Sequence, residues 1–336
     1  MIEELLIWLV KVVVVWGALI ATAAIMSLAE RKVSAWMQYR HGPNRVGPGG
    51  ILQPLADGLK FIMKEELVPA GANRLIFRVA PAIASMPAML AVAVIPFGYS
   101  AVIAGREIPL SIADLDIGVL YILALGGLAV YGVILGGWAS NSKYSLLGAL
   151  RASAQMISYE LTLMLAILSV VLVCGSLNLR QIIETQRAFL DWNVFSQPLA
   201  FVLFTIATFA ETNRHPFDFA ECEPELVGGF HTEYSAMRFA LFFLGEYCAM
   251  TVMAALNTTL FWGGPSIPFW PQAPWLLGVA SFALKTAFFL FLFIWVRWTL
   301  PRLRFDQLMR LGWQVLLPLA LLNLAATGAY QAFWGN

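Results

Sequence analysis

Charge is scarce in this sequence. Lys, Arg, Asp and Glu make up 12% of the 336 residues, against 60% hydrophobic residues. A soluble domain carries about 25% charged residues, and half that cannot cover a globule of this size. Cysteine is scarcer still, with only Cys174, Cys222 and Cys248. None forms a CxxC pair, so the chain alone cannot build a four-thiolate iron–sulfur cluster or a zinc knuckle, and a disulfide framework is not expected. Any redox cofactor must belong to another subunit. The net charge of +1 excludes a broad polybasic nucleic-acid surface.

What the sequence does have is long apolar runs. A spanning helix needs roughly 20 mostly apolar residues. Eight segments are candidates: Leu5–Leu28, Leu75–Ile103, Gly118–Ala139, Leu146–Gly175, Val194–Phe209, Phe239–Trp262, Trp275–Val296 and Leu308–Phe333. The fifth is the shortest and is expected to continue to Glu211. The pattern predicts an all-α polytopic membrane protein with about eight transmembrane helices, one membrane domain over residues 1–336. Two mixed stretches, Ile51–Leu67 and Leu179–Leu190, read as surface-lying amphipathic helices. The first run is too long for a signal peptide and is flanked by Glu3 and Glu4. Orientation follows Lys and Arg. Eight crossings put both termini on one side, with Lys11, Arg106, Arg180 and Arg187; Lys285 falls inside a helix, and the remaining sixteen of 21 lie opposite. Both termini should therefore face outward, and the long polar segments, about 30–74 and 211–238, should be cytoplasmic. No internal repeat is visible, which disfavours an inverted-repeat transporter.

Ionisable side chains are costly in hydrocarbon and usually face a bundle interior. Glu160, Glu246 and Lys285 fall inside apolar runs; the acids read as functional, the lysine equally as snorkelling. The segment ETNRHPFDFAECEPELVGGFHTEY carries Glu211, Asp218, Glu221, Glu223, Glu225 and Glu233, interleaved with Phe217, Phe219, Leu226, Val227 and Phe230. A solvated loop does not need those apolar residues. Crowded carboxylates in low dielectric cannot all ionise, so such a cluster can exchange protons near neutral pH; the alternative is an acidic docking surface for a basic partner. Carboxylates with His215 and His231 can hold iron or manganese, but the paired Glu-x-x-His spacing of di-iron bundles is missing and no metal site is expected. The first polar segment combines Glu30, Arg31, Lys32, Arg40, Arg45 and Asp57 with Trp36, Tyr39 and Phe61. That mixture suits an amphiphile's entry portal, or its basic residues simply enforce topology. Its GPGG lacks the Lys-Ser/Thr of a phosphate loop.

Four runs in register, AERKVSAWMQYRHGPNRVGPGGILQPLADGLKFIMKE, NSKYSLLGALRASAQMISYE, AETNRHPFDFAECEPELVGGFHTEYSAM and WVRWTLPRLRFDQLM, resemble the H-type membrane subunits of NADH:quinone oxidoreductase, respiratory complex I. This family is the bacterial counterpart of mitochondrial NADH dehydrogenase subunit 1. The similarity spans nearly the whole chain, and the family's eight-helix core agrees with the count above. The resemblance implies a membrane protein that forms the ubiquinone access tunnel and couples quinone reduction to proton translocation, with no catalytic redox centre of its own. Ubiquinone or a related quinone would be the substrate, with FMN and iron–sulfur clusters in partner subunits. The tunnel residues carry over to Glu30, Arg31, Arg40, Arg45, Asp57 and Lys60, with Arg297 and Arg302 near the quinone cavity. The buried carboxylate chain carries over to Glu160, Glu211, Glu221, Glu223, Glu225 and Glu246, flanked by Tyr159, Arg214 and Asp218. Cys222 and Pro224 stand between the three glutamates, where many family members have small or polar residues. The implied partners are the soluble quinone-site and iron–sulfur subunits, small membrane subunits leading to antiporter-like ones, and the lipid bilayer; no nucleic acid is implied. The implied location is the bacterial inner membrane, multi-pass, or the mitochondrial inner membrane if organellar. The rival readings are a related subunit of a membrane-bound hydrogenase or other ferredoxin- or formate-linked complex, a stand-alone ion transporter, and a structural anchor.

Overall fold

Inside lipid a backbone must satisfy its own N–H and C=O groups, which leaves the helix as the form for each apolar run. A computed structural model describes residues 2–103, 105–219, 227–270 and 274–334. Its elements are α1 (Ile2–Met37), α2 (Gln53–Met63), α3 (Arg74–Ala91), α4 (Gly118–Ala139), α5 (Lys143–Cys174), α6 (Leu179–Thr185), α7 (Asn193–Ser196), α8 (Pro198–Glu211), α9 (Ala236–Phe261), α10 (Trp275–Thr299), α11 (Phe305–Arg310) and α12 (Leu317–Trp334). A π-helical turn, Leu311–Leu316, joins the last two. Among the described residues seven helices are long and apolar enough to cross a membrane, and α8 is a shorter apolar helix. The multi-pass helical membrane architecture is as the sequence predicts.

Three boundaries differ from expectation for local reasons. The second run is not helical to Ile103. Pro96 pushes Ile95 into extended backbone (φ −78°, ψ 121°). The helix closes with a turn at Val92–Val94, and a short antiparallel hairpin follows, β1 (Ala101–Ile103) with β2 (Arg106–Ile108). α1 continues past Leu28 to Met37, which makes Glu30 a helical residue rather than the start of a loop. In the stretch 179–190 only α6 is an α-helix, started by Asn178, whose Oδ1 accepts from the Arg180 N–H at 2.8 Å. Leu179, Ile182 and Ile183 are buried while Gln181, Glu184 and Thr185 are exposed, so α6 lays its apolar face against the bundle. α2 fits the surface-lying expectation: it buries no residue and leaves Leu55, Leu59, Ile62 and Met63 exposed.

Close approach centres on α3. A Cβ at Gly132 of α4 would fall 2.3 Å from the Ala84 backbone nitrogen, and one at Gly245 of α9 would fall 2.9 Å from the Ser85 Cα. Glycine on both flanking helices lets α3 sit between them at backbone contact. The main core lies among α5, α8, α9 and α10, with Leu163, Ile167, Phe204, Ala207, Leu260 and Phe261 buried. α1 touches that core through Leu19, Ala23 and Met26 and leaves Trp8, Val13, Val14 and Trp16 exposed.

Candidate functional site

The end of the bundle that carries the basic loops also buries a charge network. Arg214 lies just beyond α8 and is only 4% exposed. Its Nη1 is 3.2 Å from Glu30 Oε1 of α1, and its Nε is 2.5 Å from Glu246 Oε1 of α9. Its guanidinium carbon sits 4.5 Å from the centre of the Tyr247 ring. The Tyr247 hydroxyl donates to Glu30 Oε2 at 2.7 Å, and Arg297 of α10 pairs with Glu30 Oε1. Two carboxylates thus face two guanidiniums. Burial alone disfavours the charged guanidinium of Arg214, but Glu246 and Glu30 outweigh it and hold the group protonated above its ordinary range.

The loop that carries Arg214 is fixed by Gln155 of α5. Its Nε2 donates to the carbonyls of Ala210 (2.8 Å) and Phe217 (2.7 Å). The Arg214 N–H adds a bond to the Phe209 carbonyl at 3.0 Å. The end of α8 is thereby folded back so that a polar side chain enters the bundle.

Glu211, the last residue of α8, is 8% exposed, and its Oε2 has no hydrogen-bond partner. It stands between two spaces. One is a partly open cleft of about 90 Å³, shared with Glu246, His231 and Met156. The other is a small cavity shared with Glu160 of α5. His231 is buried, with its ring stacked on Phe239 at 5.3 Å between centres. Burial pushes its pKa down to about 4 against the opposing pull of Asp218, so it is neutral near pH 7.

The remaining candidates fall into separate groups. Arg31 pairs with Asp57 at 2.6 Å, tying α1 to α2. Lys60 is exposed beside the Phe61 ring. Arg40 is exposed and donates to Gln38 Oε1 at 2.7 Å, and Arg45 is exposed as well; neither joins the buried network. Arg302 covers the Phe219 ring at 5.5 Å, with Nε and Nη2 buried and lacking hydrogen-bond partners. Asp218 and Arg302 both act on His215, whose pKa is lowered first by burial. Tyr159 is fully buried, but its hydroxyl donates to the Leu308 carbonyl at 2.9 Å, so that hydroxyl serves the start of the last span rather than the carboxylates. Glu221, Glu223 and Glu225 lie outside the described residues, as do Cys222 and Pro224. Among the described residues no three His, Cys, Asp or Glu side chains converge as a metal site would need. Sequence reasoning missed Tyr247 and Gln155. Their signal was present: each is a polar group within a spanning run, one adjacent to Glu246 and the other five positions before Glu160.

Comparison with known proteins gives a consistent result. A family model described as NADH dehydrogenase matches residues 10–328. The H 1 subunit of NADH-quinone oxidoreductase from Geobacter metallireducens is 53% identical over 325 residues, covering 97% of this chain and 96% of that protein. The H subunit of NADH-quinone oxidoreductase from Thermomicrobium roseum is 52% identical, covering 96% and 95%. NADH-quinone oxidoreductase subunit 8 of Rhodothermus marinus is 51% identical, covering 92% of each. With a match over nearly its whole length and relatives at half identity, this chain belongs to the NADH dehydrogenase family.

Proposed function

We propose that this chain is the membrane subunit of a proton-pumping NADH:quinone oxidoreductase that forms the quinone access tunnel and couples quinone reduction to proton translocation. One observation carries the reading. Glu30, assigned to the quinone side, shares a buried ion network with Arg214 and Glu246, assigned to the coupling side. Two unit charges at 4 Å interact by about 4 kcal/mol at an effective dielectric of 20. That exceeds the roughly 1.4 kcal/mol that shifts a protonation equilibrium tenfold, so a charge change at one end of the network can reset the other.

In this mechanism a quinone enters past α2, whose exposed apolar residues and Arg31–Asp57 pair suit an amphiphile with a polar head. Arg40, Arg45 and Lys60 line the outer approach, with Arg297 and Arg302 deeper. Reduction changes the charge and proton demand beside Glu30. The pairs around Arg214 then redistribute between arrangements of similar energy, and Glu211, Glu160 and the segment with Asp218, Glu221, Glu223 and Glu225 pass the change on. Tyr159 holds the last span in register with this group. FMN and iron–sulfur clusters held by soluble partner subunits would supply the electrons, and this chain's own residues hold the quinone. Neighbouring small membrane subunits carry the signal to antiporter-like ones, all within a bacterial inner membrane.

The test is purification of the tagged chain with its native partners in mild detergent, followed by assays of quinone reductase and proton pumping. Glu211→Gln should lower both; unchanged rates would remove its assigned role. Asp57→Asn should raise the quinone KM, and an unaltered KM and turnover would remove the portal assignment. Hydrogenase activity in a nickel-containing complex would move the chain to that neighbouring class. A chain that emerges alone and moves ions in liposomes would overturn the reading.

A further inference from the structure

α2 buries no residue, so a buried face does not set its place on the bundle. It is held toward its two ends instead. At the leading end Asp57 pairs with Arg31 of α1 at 2.6 Å, and Lys32 Nζ donates to the Gly49 carbonyl just ahead of the helix. At the trailing end the backbone turns extended at Lys64 (φ −76°, ψ 139°) and meets the start of α9. There the Leu67 N–H donates to Ser235 Oγ at 3.2 Å, and the Ser235 hydroxyl donates to the Glu65 carbonyl at 3.5 Å. Glu66 Oε2 lies 2.6 Å from Arg238 Nη2. Half-buried Phe61 meets the Phe239 ring, 6.1 Å between centres.

The two members of the Arg238–Glu66 pair are unlike. The Arg238 side chain is 14% exposed, and its guanidinium carbon stands 5.7 Å from the centre of the fully buried Phe77 ring of α3. A cation over a ring face is attracted to it, so α3 and α9 together hold Arg238 as a fixed post. Glu66 is 41% exposed and belongs to the extended stretch after α2, so it is the tether. We propose that Arg238 is a positioning residue for the quinone portal: through Glu66 it fixes the trailing end of α2 against α9 and so sets the width of the entry past that helix. This rests on the portal role proposed above for α2. An entry set by the placement of a helix governs capture of the substrate, which appears in KM and kcat/KM, whereas the steps after capture appear in kcat. Without the pair the trailing end is loosened while Arg31–Asp57 still holds the leading one, so α2 swings rather than detaches.

The experiment compares Arg238→Met, Glu66→Gln, the two combined, and Arg238→Lys in the whole purified complex, with Asp57→Asn alongside and Arg180→Gln as the control. Reduction of a short-tailed ubiquinone analogue is measured at low and high salt, together with amide hydrogen exchange across residues 51–68. Arg238→Met and Glu66→Gln should each raise KM roughly threefold, the scale of a part-exposed ion pair, with kcat changing far less. Exchange should quicken at 64–68 more than at 53–57. The combined variant should be no worse than either alone, because both remove one interaction, and Arg238→Lys should recover most of the wild-type KM. High salt should raise KM in the wild type and less in the variants, since an exposed pair is screened. If Arg238→Met fails to assemble, Glu66→Gln, at the exposed partner, decides. A wild-type KM in the assembled pair variants beside a raised KM in Asp57→Asn overturns the positioning role and leaves the portal standing. So does a fall in kcat at unchanged KM, which marks the pair as serving the fold alone. A wild-type KM in Asp57→Asn and the pair variants alike overturns both.

Discussion

Lys285 and Arg214 are both cations drawn into an apolar bundle, at opposite ends, and they are satisfied in opposite ways. Lys285 of α10 donates to the carbonyls of Trp262 (2.7 Å), Gly264 (3.0 Å) and Ser266 (2.6 Å), with the Trp192 ring 4.3 Å away. Its three N–H groups meet three backbone oxygens at the carboxyl end of α9, where the helix dipole also favours a cation. None of those acceptors can change charge. Arg214 sits between Glu30 and Glu246 and keeps Nη2 without a hydrogen bond. Its partners can take up protons, and its donors exceed what the present arrangement uses. The first site locks a turn; the second can change its arrangement with the charge around it.

Substitutions can break this contrast, beginning with the one expected to do most damage. Arg214→Met leaves two buried carboxylates short of a cation, a loss of about 3–5 kcal/mol. Little complex should assemble, and what does should lack coupled turnover; near-normal turnover of purified complex would remove the contrast. Lys285→Met leaves three carbonyls without their donor, at about 1–3 kcal/mol for such a buried loss. Its melting temperature should fall while turnover and pumping per assembled complex hold. Lost pumping with intact reductase activity would place Lys285 in the same class as Arg214.

A smaller effect concerns pH. His231 titrates at about 4 in the fold against an ordinary 6.5. Between those values the unfolded chain binds a proton that the folded chain does not, so its contribution is complete above pH 6.5 and is lost as pH falls toward 4. Thermal stability should decline across that window, and His231→Gln should flatten the decline; an unchanged slope would assign it to another group. The smallest change is expected for Arg180→Gln, at the end of the bundle that holds Lys285. Arg180 lies 3.6 Å from both Asp114 and Glu184, and exposed pairs are worth about 0–1 kcal/mol. Melting temperature and turnover should both stay near wild type, and a large drop would show that charge at the Lys285 end matters as much as charge at the Arg214 end.

The helices were legible because the apolar runs are long and unbroken, and α8 could be followed to Glu211 for the same reason. The end of α3 was not legible. Pro81 and Pro87 remain inside that helix while Pro96 ends its run, and a proline reads the same locally whether neighbouring helices accommodate it or not. In the site, Glu160, Glu246 and Glu211 stood out as acids in or beside apolar runs. Tyr247 and Gln155 did not, since a single hydroxyl or amide in a spanning helix is common. Tyr159 shared that ambiguity: its position beside Glu160 says nothing about which way its hydroxyl points. Arg40, Arg45 and Arg297 were all assigned to the quinone side from the resemblance, yet of the three only Arg297 enters the buried network.

By itself the sequence determined that this chain is a multi-pass helical membrane protein, where its helices run and which acids lie within them. Those are sums over neighbouring residues, and the cost of placing an unpaired backbone or a charge in lipid is incurred locally. Only the tertiary structure decided that Glu30 meets Arg214 and Arg297, partners 184 and 267 positions away. It alone decided that Lys285 directs its donors at carbonyls, and that Arg238 meets Glu66. Those contacts depend on which helix ends meet and at what rotation, and that is settled by the packing of the whole bundle.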